Sequence, residues 1–222
     1  MMKLSFPFIS NPIIFSDGTV NSLIIENSVC FREALYDLHN QLSGSDGSAV
    51  LSVDNVPVPF SKNTELITGF VPFELSDKAM LSKIHSALEK NAVNETNYLR
   101  TQSLLAEIEK YLFDISYDFS VDVSAEKLSV ASLLKALGVS IKEDYTSLIE
   151  KVFDYFELIR EFDKDKLFIT VNMRDYFSDN EMRLFTDSVS KHNHALLMIE
   201  SHERPILPHE NRLIIDDDLC EI

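Results

Sequence analysis

Glycine occurs only five times in this 222-residue chain, cysteine twice and tryptophan not at all, and cationic residues are outnumbered. The glycines are Gly18, Gly44, Gly47, Gly69 and Gly138, and none stands in a Gly-x-x-x-x-Gly-Lys array. A phosphate-binding loop needs such glycines, so that backbone N–H groups can close on the phosphates, and a lysine for the β- and γ-phosphates. Glu26-Asn27-Ser28, where that loop would fall between a strand and a helix, has neither. Nucleotide chemistry is therefore not expected. Two isolated cysteines, Cys30 and Cys220, argue against a disulfide framework and fit a reducing compartment. Twenty Lys and Arg face 36 Asp and Glu, a net charge of -16. That balance speaks against a broad basic face for nucleic acid, while leaving room for a small positive patch on an acidic body. No run approaches the roughly 18 apolar residues of a membrane span. The opening MMKLSFPFISNPIIF is broken by Pro7 and Pro12 and reads as strands, not a signal peptide. The expectation is a soluble cytoplasmic protein with no membrane partner.

What is present is a globular pattern, with 45% apolar residues. Lys3–Ile9, Ile13–Phe15 and Val20–Ile25 are β-rich, and Ser16-Asp17-Gly18 suits a turn between the last two, giving an N-terminal β-hairpin. Val29–Leu42 has helical spacing, Gly44–Ser48 reads as a flexible loop and Ala49–Val53 as a buried strand. Beyond Pro72 the texture turns helical. One helix is capped by Ser76 or Asp77, a second runs from about Thr96 to Phe113, and a third from an Asp144 cap to Arg160. Lys166–Val171 and Ala195–Ile199 are continuous apolar runs, as in covered parallel strands. The helix opened by Ser178–Glu181 joins them into a βαβ unit. The fold class is α/β, with a helical subdomain at 73–162 inserted between sheet-forming segments 1–72 and 163–222.

Several constellations bear on chemistry. His192-x-His194 sits at a helix-to-strand turn with no cysteine or carboxylate at fitting spacing, so a solvated loop is expected rather than a metal pair. Cys30, beside Phe31, reads as a buried structural thiol. The Asp216–Asp218 run is expected to be solvated; its rival role is a divalent-metal nuclease centre. Asp114, Asp118, Asp122 and Glu126 recur every four residues and offer the oxygens that Ca²⁺ takes, though without EF-hand spacing. Lys127, Lys135, Lys142 and Lys151 follow, diluted by Glu143, Asp144 and Glu150. One copy makes a poor DNA site. Several copies around a hole would sum to a positive lumen.

From Lys127 to Asn172 the chain reads KLSVASLLKALGVSIKEDYTSLIEKVFDYFELIREFDKDKLFITVN. The segment Leu133–Val139, the helix Leu148–Arg160 and the strand Lys166–Asn172 resemble the small adaptation protein of type II-A CRISPR systems, the Csn family of subtype two. The helix start Ser178–Glu181, the strand Ala195–Ile199 and the Cys30-Phe31 region extend the resemblance over essentially the whole chain.

That resemblance implies a head domain similar to P-loop ATPases with a degenerate nucleotide loop, and an inserted helical leg domain. It implies a bacterial, non-catalytic, ring-shaped homotetramer that holds double-stranded linear DNA ends during spacer acquisition, supported by Ca²⁺. The CRISPR adaptation integrase and effector nuclease are the implied protein partners. By position, Asp118, Asp122 and Glu126 match the family's metal ligands, while Ser124 and Ser132 stand where relatives carry acids. Lys135 and Lys151 match the family's DNA contacts best, with Lys127 and Lys142 placed by proximity. No catalytic residue is expected. The competing readings are a divalent-metal-dependent nuclease and a DNA-independent scaffold of the adaptation complex.

Overall fold

Three strands with no exposed residue in their interiors set the architecture, which is seen in a computed structural model that describes residues 1–75, 78–117, 119–121 and 123–222. In chain order the strands are β1 (Met2–Ser5), β2 (Ile13–Phe15), β3 (Val20–Ile25), β4 (Val50–Val53), β5 (Val56–Pro57), β6 (Thr64–Ile67), β7 (Leu167–Val171), β8 (Ala195–Glu200) and β9 (Glu210–Ile215). The helices are α1 (Ser28–Leu42), α2 (Phe60–Asn63), α3 (Lys78–Ala92), α4 (Tyr98–Ser116), α5 (Val130–Ala136), α6 (Leu148–Phe162) and α7 (Asp179–Lys191). β3 and β7 are buried at every residue and β8 at all but its first. These are the central members of a five-stranded sheet, order β6-β7-β8-β3-β9, in which every neighbouring pair is parallel.

The chain divides into two compact units, 1–73 with 145–222, and 74–144. In the first, one face of the parallel sheet (Leu23, Ile25, Leu167, Ile169, Leu197, Ile199) packs against Ala34 and Leu38 of α1 and against Leu4 and Leu51 of a smaller antiparallel sheet, order β2-β1-β4-β5. The other face is closed by α6 and α7. Phe156 of α6 stacks on Phe168 of β7 with ring centroids 3.9 Å apart, and meets Phe185 of α7 edge-on. Helix α6, assigned from sequence to the helical insertion that ended at 162, thus packs on the sheet. Its stripe Ile149, Val152, Phe156 and Ile159 is fully buried there.

The N-terminal hairpin differs from the sequence expectation. Gly18 adopts the positive φ (+74°) required of the turn, but β2 and β3 do not pair. β2 pairs antiparallel with β1, and β3 enters the other sheet. The reason is that β3 is bonded on both edges, by β8 and β9, so it has no edge left for β2. The Gly44–Ser48 loop is also less free than its composition suggests. Asp37 of α1 accepts hydrogen bonds from Ser48 N–H (2.9 Å), Ser48 O–H (3.0 Å) and Ala49 N–H (2.7 Å).

The second unit contains α3, α4 and α5. Ser76 and Asp77, expected to cap α3, lie outside the described residues. Asp144 does not cap α6, whose N-cap is Ser147; it pairs instead with Lys142. α5 is capped by Ser129, whose hydroxyl accepts from Ser132 N–H. It stops at Gly138, whose φ of +61° lets Val139 N–H return to Leu134 O. His85 of α3 holds the segment that follows through Val139 O at 2.9 Å. Truncating the stacked ring, Phe156→Ala, is expected to destabilise the first unit by about 3–5 kcal/mol. Denaturant unfolding followed by circular dichroism measures this loss, and a change under about 1 kcal/mol would contradict the packing described.

Candidate nucleic-acid interface

Three of the four singled-out lysines belong to the helical unit. Lys127 is exposed on the extended segment between α4 and α5, and Lys135 is exposed in the last turn of α5. Lys142 is exposed and pairs with Asp144 at 3.1 Å, with both side chains about four-fifths in solvent (85% and 79%). Such an exposed pair contributes little to stability. Lys151 lies on α6 in the other unit and is half-buried.

Of the three acids read as metal ligands, Asp118 and Asp122 lie outside the described residues. Glu126 is exposed and borders an apolar cavity of about 690 Å³, formed by Leu112, Phe113, Phe119 and Val123. Glu109 lines the same cavity, and its Oε1 already accepts from Leu128 N–H at 2.9 Å. Among the described residues, no three His, Cys, Asp or Glu side chains form a group that could hold a metal ion.

The most telling property of the helical unit is its lack of a core. Among its described residues only Leu75, Met80 and Leu105 are buried apolar side chains. The α4 stripe foreseen from periodicity is half open, with Leu104 at 49% and Leu112 at 43% exposure. Leu99, Phe113, Tyr117, Phe119 and Val121 are exposed around it. Exposed apolar side chains in this number, on and just beyond one helix, are unusual for surface that stays in water.

At the carboxyl end of the parallel sheet, where α/β folds bind ligands, the β3–α1 loop is filled by the protein itself. Asn27 Oδ1 accepts from Val29 and Cys30 N–H at 3.1 and 3.0 Å, and its Nδ2 donates to Asp217 O at 2.9 Å. Glu26 N–H donates to Ile215 O. The N–H groups of Glu26, Val29 and Cys30 are thus already partnered. In the C-terminal acidic run, Asp216 Oδ1 accepts from Asp218 and Cys220 N–H, so this carboxylate builds a turn. Cys30 is buried, and burial, then Glu33, push its thiol pKa up, as suits a structural cysteine.

His194 overturns the reading of His192-x-His194 as a solvated pair. His192 is exposed, but His194 is 4% exposed, packed edge-on against Phe153, Phe156 and Phe168. Its Nε2 meets Glu157 Oε1 at 2.5 Å. Burial pushes the imidazole pKa down, and the Glu157 hydrogen bond opposes this in part. The alternation that aims His194 inward belongs to β8, which begins one residue later.

Glu200, not foreseen from sequence, closes β8 with 2% exposure. Its Oε1 accepts from Arg174 N–H at 3.4 Å, and Oε2 has no partner among the described residues. Arg174, also buried, donates to Pro205 O at 2.8 Å and reaches Asp179 at 3.5 Å. Arg204 pairs with Asp175 alongside. Burial raises the Glu200 carboxyl to about 7, against the opposing pull of Arg174 and Arg204.

With this geometry in view, comparison with known proteins is direct. The model of a family described as CRISPR-associated protein (Cas_Csn2) matches residues 41–219. The chain belongs to that family. It is 23% identical over 225 residues to the CRISPR-associated protein Csn2 of Streptococcus agalactiae, covering 98% of this chain and 96% of that one. To the CRISPR-associated protein Csn2 of Enterococcus faecalis it is 22% identical over 221 residues, with the same coverages of 98% and 96%.

The Glu200 geometry yields a pH prediction. A carboxyl whose pKa rises from 4.5 to about 7 on folding contributes stability that is full below pH 4.5 and is lost as pH climbs through 7. Glu200→Gln, which stays neutral, is expected to match the native chain near pH 4.5 and to exceed it at pH 8 by up to about 3 kcal/mol. Thermal unfolding at both pH values checks this, and equal differences at the two would refute it.

Proposed function

We propose that this protein acts in CRISPR adaptation as a non-catalytic, homotetrameric ring that holds the ends of linear double-stranded DNA. Family membership supplies the CRISPR context. The observation that carries the rest is the make-up of the helical unit, which joins exposed lysines 127, 135 and 142 to an apolar face too poorly buried to stand alone. A unit with so small a core gains stability by assembly. Repetition around a symmetry axis would sum the lysines into a local positive field despite the net charge of -16.

In this reading the parallel sheet is a P-loop-ATPase-like head whose nucleotide loop has decayed, and Asn27 stands in for the lost phosphate partner of α1. The 74–144 segment serves as the leg domain. Ca²⁺ supports the ring, with Glu126 as one donor beside Asp118 and Asp122. The lysines contact phosphates without reading bases, so binding is independent of sequence and steep in salt. The protein works in the bacterial cytoplasm, alongside the adaptation integrase and effector nuclease.

Gel shifts with matched linear and covalently closed duplexes test the proposal. Linear DNA is expected to be retained and closed circles are not. Lys127→Glu with Lys135→Glu should weaken retention by roughly tenfold or more and flatten the salt dependence. Equal retention of both DNA forms, or cleavage of the DNA in Mg²⁺ or Mn²⁺, overturns the reading. Mass in solution should be about four times that of the chain and should fall on chelation with EDTA.

A further inference from the structure

The two edges of the parallel sheet are finished differently. Beyond β9 the chain folds back on itself: Ile214 and Ile222 exchange backbone hydrogen bonds of 3.2 and 2.9 Å, and Ile215 bridges Glu221. Beyond β6, at the opposite edge, no strand is paired among the described residues. Beside that edge α1 and β6 leave an open groove of about 450 Å³, lined by Phe31, Arg32, Leu35, Tyr36, His39 and Leu66.

We propose that this edge and groove receive an extended peptide from a partner protein, which adds to β6 as a further strand and inserts an apolar side chain beside Leu66. The inference is independent of DNA binding. Three features select this occupant. An unpaired strand edge presents alternate N–H and C=O groups, which an extended backbone satisfies and a compact ligand does not. Side chains alternate along strands, so a residue opposite Leu66 on the added strand projects to the same side, into the space between Leu66 and α1. Glu65, the charged residue within β6, is turned away and held by the Tyr155 hydroxyl at 2.7 Å.

The groove wall also has the composition of a recognition site. Phe31, Leu35 and Leu66 are half-buried, and Tyr36 stands 62% exposed at the rim, an amphipathic aromatic at the wet boundary. Arg32 and His39 are exposed on the same rim. On a chain of net charge -16, the exposed Arg32 guanidinium favours a peptide with acidic residues flanking its apolar ones. Since β6 has four residues, few backbone bonds can form, and affinity in the micromolar range is expected.

The test uses the full chain and a phage-displayed library of random 12-residue peptides as probe. Selected peptides should alternate apolar residues, carry acidic flanks, and protect residues 64–68 from amide hydrogen exchange. N-methylation of alternate peptide amides should abolish binding. Leu66→Lys and Tyr36→Asp should each weaken it roughly tenfold or more. Tyr36 is exposed enough that its variant stays folded, as circular dichroism would verify, so loss of binding there cannot be ascribed to unfolding. Absence of any enriched peptide, a footprint elsewhere, or indifference to N-methylation overturns the proposal. Protection of 64–68 that rises with protein concentration alone also overturns it, by giving the edge to a second copy of the chain.

Discussion

β3 has no free edge and no free face, and most of the first unit follows from that. Its six residues are buried and its backbone is bonded to β8 on one side and β9 on the other. Because β3 comes early in the chain and β8 and β9 come last, the central sheet closes only when the two ends of the sequence meet. The whole 74–144 segment is therefore an excursion made between β3 and its partners β8 and β9. The same constraint sends β2 to a different sheet and puts the β3–α1 loop against the Ile215–Asp217 turn.

How much of this could be read in advance divides along a physical line. Burial pattern is local, and the apolar runs at Lys166–Val171 and Ala195–Ile199 announce covered strands. The α7 start was equally plain, because Ser178 and Glu181 form a capping box within four residues. Partner choice is not local. Nothing in Ile13–Phe15 says that its neighbour is β1 rather than β3, since that depends on β3 being already occupied. α6 shows the same limit: its buried stripe was visible, but whether that stripe faces other helices or Phe168 was not. Asp144 was a reasonable cap by type, yet its carboxylate pairs with Lys142 and Ser147 takes the position.

The candidate site was legible only as a set of residue types. In the proposed ring the lysines would act through a summed field, and such lysines look like any surface lysines in one chain. The half-open stripe of α4 was visible as periodicity, but periodicity reports which residues share a face and not whether anything covers it. His194 and Glu200 escaped for opposite reasons. His194 stands just before the apolar run Ala195–Ile199 and reads as loop, while Glu200 stands just after it, beyond the strand the sequence marks. In both cases the adjacent strand carries the side chain into the interior.

The Asp37 clasp divides a single short loop into two regimes. Asp37 holds Ser48 and Ala49 through three hydrogen bonds. A Cβ at Gly47 would fall 2.2 Å from the Asp37 carboxylate and 2.4 Å from the Gln41 amide. Around Gly44 nothing lies within 4 Å of such an atom. Gly44 has room for a side chain, but its φ of +86° and the bonds from Gly44 N–H to Gln41 O and from Ser45 N–H to Asn40 O close the end of α1, whereas Gly47 has no room for a Cβ at all. The first glycine is held by backbone conformation and the second by space, within five residues that look, by composition, all alike.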